Sequence, residues 1–167
     1  KLHWGKLQNN IICANKDFPV VQADLHHGTY YGEIYVCLFP FGYGLSYTLY
    51  NIGDATLSNE TLKKGEQITL TIPVSNVGKK DGAEVVQVYV KDPTDTEGPL
   101  KTLKAYQRVS VKAGETAQAI ITLDSKNFEL FDTGTNTMRA KAGDYEVYYG
   151  SSSSDKDLKK VIVHYAY

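Results

Sequence analysis

Residues 67–90, QITLTIPVSNVGKKDGAEVVQVYV, alternate apolar and polar side chains on both sides of a turn that contains two glycines. A period of two residues is typical of half-buried β-strands. The apolar positions that would share one face of each strand are Ile68, Leu70, Ile72 and Val74, then Val86, Val88 and Val90. Because Pro73 cannot donate a hydrogen bond to a ladder, we expect the first strand to lie at a sheet edge or to bulge there.

The same pattern continues to the end of the sequence. It recurs in the segments LKAYQRVSV, TAQAIITLD, GDYEVYYG and KKVIVHYAY, which are separated by turn-rich stretches. Residues 93–100 indicate an exposed loop, and the serine run at residues 151–157 indicates a flexible hairpin loop. We count about seven strands and no long segment of helical period, so the fold class is all-β. An immunoglobulin-like or fibronectin type III-like sandwich is expected.

The first 37 residues differ from this body. Their apolar residues are scattered, and one convincing strand is predicted at residues 30–36. Such a leader cannot bury enough surface to fold alone, so residues 1–37 form an irregular leader and residues 38–167 form the sandwich. Both cysteines, Cys13 and Cys37, lie in the leader, where a disulfide bridge and two free thiols remain equally open.

Composition excludes several classes of function. Eighteen basic residues nearly balance nineteen acidic ones, so no nucleic-acid partner is expected. No apolar run approaches the roughly 20 residues that span a bilayer, so no membrane partner is expected either. The four histidines have no metal-ligand spacing, and we predict no metal site and no cofactor.

Candidate catalytic residues are absent from the pattern. The acidic residues fall mainly in turns and on polar strand faces, whereas glycosidic chemistry needs two carboxyl groups held in one pocket. The serines of residues 151–154 have loop composition and no evident base. We therefore assign no catalytic residue.

An aromatic run, LFPFGYGLSYTLY at residues 38–50, contains five aromatic residues and two glycines. It could enter the core, form a sugar platform, or form a seam with another domain. For the seam, the candidates are Phe39, Phe41, Tyr43 and Tyr47, with packing inside the sandwich as the alternative for all four.

Three motifs resemble one known family. FPFGYGLSYT closely resembles the opening of the C-terminal fibronectin type III-like domain of glycoside hydrolase family 3, the β-glucosidases and β-xylosidases. VSNVGKKDGAEVVQVYV and LKAYQRVSVKAGET are similar to later segments of that domain, in the same order. GKL and YYGEIYV in the leader look like the tail of the family's preceding α/β domain, although the tyrosine-rich stretch before FPFG is missing.

The resemblance implies an accessory domain whose partners are the catalytic domains of a secreted or periplasmic retaining hydrolase, because no segment matches the family's catalytic motifs. Two alternatives stay open. A protein-binding or adhesion module of the immunoglobulin type would use loops such as residues 93–100. A carbohydrate-binding module would stack a polysaccharide on tyrosines, with these candidates: Tyr145, Tyr148, Tyr149, Tyr165 and Tyr167.

Overall fold

The computed structural model describes residues 39–92, 101–132 and 134–167. The leader, with both cysteines and the strand predicted at residues 30–36, lies outside the described residues, as does the loop predicted at residues 93–100. The strands in the described residues are β1 (Tyr50–Ile52), β2 (Thr56–Leu57), β3 (Thr61–Lys63), β4 (Gln67–Asn76), β5 (Gly82–Lys91), β6 (Thr102–Val111), β7 (Thr116–Asp124), β8 (Leu130–Asp132), β9 (Thr137–Arg139), β10 (Gly143–Gly150) and β11 (Leu158–Ala166).

Two sheets form the sandwich that the sequence predicts. In the first sheet, β4 pairs with β7 along one side and with β1 and β2 in succession along the other, always antiparallel. The second sheet has the order β3-β11-β10-β5-β6, and only its β3–β11 pair is parallel. Strands β8 and β9 form a separate short hairpin.

The core lies between the two sheets, and the alternating residues build it as predicted. The apolar positions of β4 and the valines of β5 named above are all at most 1% exposed. Strand β7 contributes Ala119, Ile121 and Leu123, while its intervening residues Gln118 and Ile120 face solvent. Burial of about 25 cal/mol per Å² of apolar surface is the main force that holds two such faces together.

Strand β4 lies inside its sheet and pairs with β7 in unbroken register through Pro73, so the prediction of an edge or a bulge at Pro73 is wrong. The Pro73 carbonyl accepts a hydrogen bond from Gly53 N at 2.8 Å, at the break between β1 and β2. The N and C=O groups of one strand residue point to the same side of the strand. The missing donor of Pro73 therefore faces the break, where no strand pairs with it.

The serine run is an ordered turn that packs against the sandwich, which corrects the prediction of a flexible loop. Ser152 and Ser153 are buried, and a short 3₁₀ helix, Asp155–Asp157, leads into β11. The Ser152 hydroxyl donates to Asp157 Oδ2 at 2.7 Å and accepts from Ser154 N at 3.1 Å. Local hydrogen bonds of this kind give a polar sequence one fixed conformation.

Candidate docking surface

The aromatic run begins with a tight turn. Tyr43 N donates to the Pro40 carbonyl at 3.1 Å, and Gly42, the third residue of the turn, has a φ of 76°. A positive φ at this position defines a type II turn and favours glycine. The rings of Phe39 and Tyr43 stack on each other across the turn, with centroids 5.1 Å apart.

A buried glutamine fastens this turn to the sandwich. Gln87 of β5 donates from Nε2 to the carbonyls of Gly42 (3.0 Å) and Ser151 (2.8 Å), and its Oε1 accepts from the Tyr89 hydroxyl at 2.6 Å. Ser153 N adds a bond to the Phe41 carbonyl at 2.8 Å. The backbone of the turn is therefore fixed on the second sheet and on the serine run.

The far end of the run is fastened by a buried asparagine. Thr48 Oγ1 donates to Asn76 Oδ1 at 2.7 Å, while Asn76 Nδ2 donates to the carbonyls of Lys80 and Val111. Val77 N also donates to the Leu49 carbonyl at 2.8 Å. Both ends of the run are thus held by side-chain amides of the sandwich.

The four seam candidates lie at the surface of the described chain. Phe39, Phe41, Tyr43 and Tyr47 are 54%, 43%, 41% and 95% exposed, so the alternative that all four are core residues is wrong for this structure. Leu45 and Leu49 in the same run are also exposed. They are absent from the predicted seam because its candidates were aromatic residues only. These six exposed apolar side chains lie within eleven residues of sequence, and exposed apolar surface that gathers in one patch is typical of interaction sites.

Three of the five tyrosines proposed for carbohydrate contact are core residues. Tyr145, Tyr149 and Tyr165 are at most 3% exposed, because they occupy the inward positions of β10 and β11. Tyr145 packs edge-on against Phe128 at 5.3 Å, and the Tyr149 hydroxyl accepts a hydrogen bond from Ala55 N at 2.9 Å. A buried ring cannot stack on a polysaccharide from solvent, so the prediction is wrong for these three residues.

The remaining two tyrosines have separate surroundings. The Tyr148 ring on the outer face of β10 contacts the ammonium groups of Lys101 and Lys160, 5.5 and 6.0 Å from its centroid. Its hydroxyl donates to Glu146 Oε2 at 2.9 Å, and burial together with this bond raises the pKa of Tyr148 to about 12. Tyr167 is exposed and donates to the Ala140 carbonyl at 3.3 Å.

Two further features of the described residues concern metal ligands and membrane-spanning helices. Among them, no three His, Cys, Asp or Glu side chains come together as metal ligands would. No helix in residues 39–92, 101–132 and 134–167 is long and apolar enough to cross a membrane.

Comparison with known proteins identifies the class of domain. Residues 84–153 match the fibronectin type III-like domain family. The chain is 42% identical over 159 residues to a xylan 1,4-β-xylosidase of Xylanibacter ruminicola. The aligned region covers 95% of this chain and 18% of that protein. It is 33% identical to a periplasmic β-glucosidase of Salmonella typhimurium, over 90% of this chain and 21% of that protein.

Comparison with solved structures also identifies β-glucosidases. A β-glucosidase from Listeria innocua in complex with glucose superposes with a TM-score of 0.71 and 27% identity, over 87% of this chain and 20% of that one. A β-glucosidase involved in saponin metabolism from intestinal bacteria gives a TM-score of 0.74 at 27% identity, over 86% and 20%. The chain is therefore a fibronectin type III-like sandwich. It belongs with the fibronectin type III-like domain of glycoside hydrolase family 3, and it spans about a fifth of the length of the relatives that it matches.

Proposed function

We propose that this chain is an accessory, non-catalytic domain of a family 3 β-glycosidase, and that the aromatic run docks the sandwich onto the catalytic body of its parent. The observation that carries the proposal is the combination of exposed rings and a fixed backbone in the run. Gln87 holds the Gly42 turn in place, yet Phe39, Phe41 and Tyr43 at that turn remain exposed.

A fixed backbone lowers the entropic cost of docking. Aromatic side chains bury about 150–250 Å² each and dominate interface energetics. A segment that is ordered before it binds loses less conformational entropy on association. The run thus has both the apolar surface and the order that a domain interface needs.

The parent would hydrolyse terminal β-glucosides or β-xylosides, since its relatives are named β-glucosidases and a β-xylosidase. A secreted or periplasmic location fits the Salmonella relative, which is named as periplasmic. We expect the purified chain alone to leave aryl β-glucosides and aryl β-xylosides intact. Turnover above that of a heat-denatured sample would contradict the non-catalytic assignment.

A chimera tests the docking role. The aligned segment of the Xylanibacter xylosidase is replaced by this chain, and the thermal unfolding midpoint of the chimera is measured with its activity. We expect an active, folded chimera whose midpoint falls when Phe41 and Tyr47 are both changed to Ser. Tyr106→Ser, which removes a ring that is 70% exposed from β6, is the control and should leave the midpoint unchanged.

The chimera can also contradict the proposal. Equal midpoints for the Phe41→Ser/Tyr47→Ser chimera and the Tyr106→Ser chimera would show that the run is not a docking surface. The isolated double variant must still fold, and its circular dichroism checks this requirement. If the isolated variant unfolds, Tyr47→Ser alone, at a side chain that is 95% exposed, replaces it in the comparison.

A further inference from the structure

A polar notch opens between the two sheets beside the end of the aromatic run. Strand β10 stops at Gly150, which pairs with Gln87, so the first residues of β5 continue beyond it without that neighbour. The space left there is a notch of about 270 Å³. Its walls include Tyr50, Ile52, Glu84, Ser151, Lys156 and Leu158.

Glu84 supplies a hydrogen-bond acceptor to the notch. It occupies the same face of β5 as Val86, Val88 and Val90, so the strand carries its carboxylate toward the space between the sheets. Its Oε1 accepts from Val85 N at 2.8 Å, and within the described residues its Oε2 has no partner. Burial raises the pKa of Glu84, as expected for a carboxylate that no cation in the notch neutralises.

One of the two lysines that line the notch has no ion-pair partner among the described residues. Lys159 forms an ion pair with Asp54 at 2.7 Å, whereas Lys156 has no ion pair in the described part of the chain. The Tyr50 hydroxyl is buried beside Gly82 of β5 and has no hydrogen-bond partner among the described residues. A buried polar group of this kind ordinarily has a protein, water or ligand partner.

We propose that the notch binds one neutral polyhydroxylated ring, such as a single monosaccharide. Two acidic and two basic residues line it, so the charges balance and favour no charged ligand. Glu84 Oε2 can accept a hydrogen bond and the Lys156 ammonium group can donate one. Both could therefore bind sugar hydroxyl groups, which donate as well as accept. The apolar walls at Ile52 and Leu158 suit the C–H faces of the ring.

The size of the notch limits the ligand to one ring. Its volume lies just below the roughly 300–1,000 Å³ typical of sites for drug-sized ligands. This site uses none of the five tyrosines considered for carbohydrate contact. It also goes beyond the docking role and does not depend on it, because the notch belongs to the chain itself.

Titration of the ¹⁵N-labelled chain with glucose and with xylose, followed by amide chemical shifts, tests the proposal. We expect saturable shifts at the amides of Asn51, Ile52, Ser151 and Leu158, with a Kd on the order of millimolar. Glu84→Gln and Lys156→Ala should each weaken the affinity by about fivefold or more, because hydrogen bonds to charged groups are the stronger ones. Glu115→Gln, at an exposed carboxylate in the turn before β7, is the matched control and should bind like the parent chain.

Several outcomes would overturn the assignment. They are an absence of saturable shifts up to about 50 mM of either sugar, shifts confined to residues outside the notch, and equal affinity for Glu84→Gln and Glu115→Gln. Inorganic phosphate and methylammonium serve as charged probes, and saturation of the notch by either one in place of the sugars would also overturn it. Lys156 is exposed, so Lys156→Ala keeps the test valid if Glu84→Gln fails to fold.

Discussion

Gln87 joins the core to the aromatic run, and its side chain is only 6% exposed. We predict that Gln87→Leu lowers the free energy of unfolding by about 1–3 kcal/mol, because it leaves the buried Tyr89 hydroxyl and the Gly42 and Ser151 carbonyls without their partner. Urea denaturation measures the loss. Gln118→Leu, on the exposed face of β7, is the control, and an equal effect of the two changes would contradict the role given to Gln87.

Alanine substitutions at Gly42 and Gly65 distinguish the cost of backbone strain from the cost of a steric clash with a neighbouring side chain. Both have positive φ, at 76° and 86°, so alanine should cost about 1–2 kcal/mol at either position. A Cβ at Gly42 would also lie 1.9 Å from Gln87 Oε1, whereas a Cβ at Gly65 meets nothing within 4 Å. We therefore predict a clearly larger loss of urea stability for Gly42→Ala than for Gly65→Ala. Equal losses would mean that Gln87 moves aside freely.

Glu84 should destabilise the sandwich when it is ionised. Burial raises its pKa in the folded state above the usual value of 4.5, so folding takes up protons there. The stability that protonated Glu84 contributes is complete below about pH 4.5 and is lost as the pH rises through the folded pKa. We predict that Glu84→Gln raises the urea midpoint at pH 7 and raises it less at pH 4. Glu115→Gln should show no such difference, and a pH-independent effect of Glu84→Gln would refute the prediction.

At the scale of elements, the turn between β10 and β11 is ordered by its own serines. We predict slow hydrogen exchange at the Ser153 and Ser154 amides, which donate to the Phe41 carbonyl and to Ser152 Oγ. Ser152→Ala removes the second acceptor and should speed exchange at Ser154. Ser110→Ala, at an exposed position of β6, should leave both rates unchanged. Fast exchange at both amides in the parent chain would restore the flexible loop that the sequence predicts.

Sequence pattern predicts the elements well where one residue in two is buried. The period of two in β4, β5 and β7 identifies the inner face of each strand because burial imposes it directly. The position of β4 inside its sheet could not be predicted, since it depends on a break between β1 and β2 that is distant in sequence from Pro73. The composition of the serine run predicted a flexible loop, and this prediction was wrong. The run is ordered by hydrogen bonds to Phe41 and Gln87 rather than by burial of its own apolar residues.

The candidate sites were harder to predict for the same reason. Tyrosine fits both a core and a surface, so its abundance in β10 and β11 does not separate Tyr149 from Tyr148 unless the inward register is known. Glu84 lies two residues before Val86 and so belongs to the face of β5 that carries the buried valines. This alternation could have identified Glu84 from the sequence. Its significance depends on where β10 ends, which requires the tertiary structure.

At the scale of the whole molecule, the apolar surface is divided unevenly. The core between the sheets is closed, while the aromatic run and the Leu45 and Leu49 side chains remain outside it. A fixed apolar surface on a sandwich with little net charge favours association. If another domain normally covers the run, the chain alone should use the same surface to bind a second copy.

We therefore predict concentration-dependent self-association of the purified chain through the aromatic run. Sedimentation velocity over about a hundredfold range of concentration should show a mass increase, because burying several exposed rings at about 25 cal/mol per Å² gives a weak association. Phe39→Ser/Phe41→Ser should shift this increase to about tenfold higher concentration. The control, Tyr106→Ser/Ile120→Ser, removes a comparable exposed area from β6 and β7 and should change nothing. Association that the control weakens as much as the run variant would place the contact elsewhere, and a strictly monomeric parent chain would show that the exposed run alone does not hold two copies together.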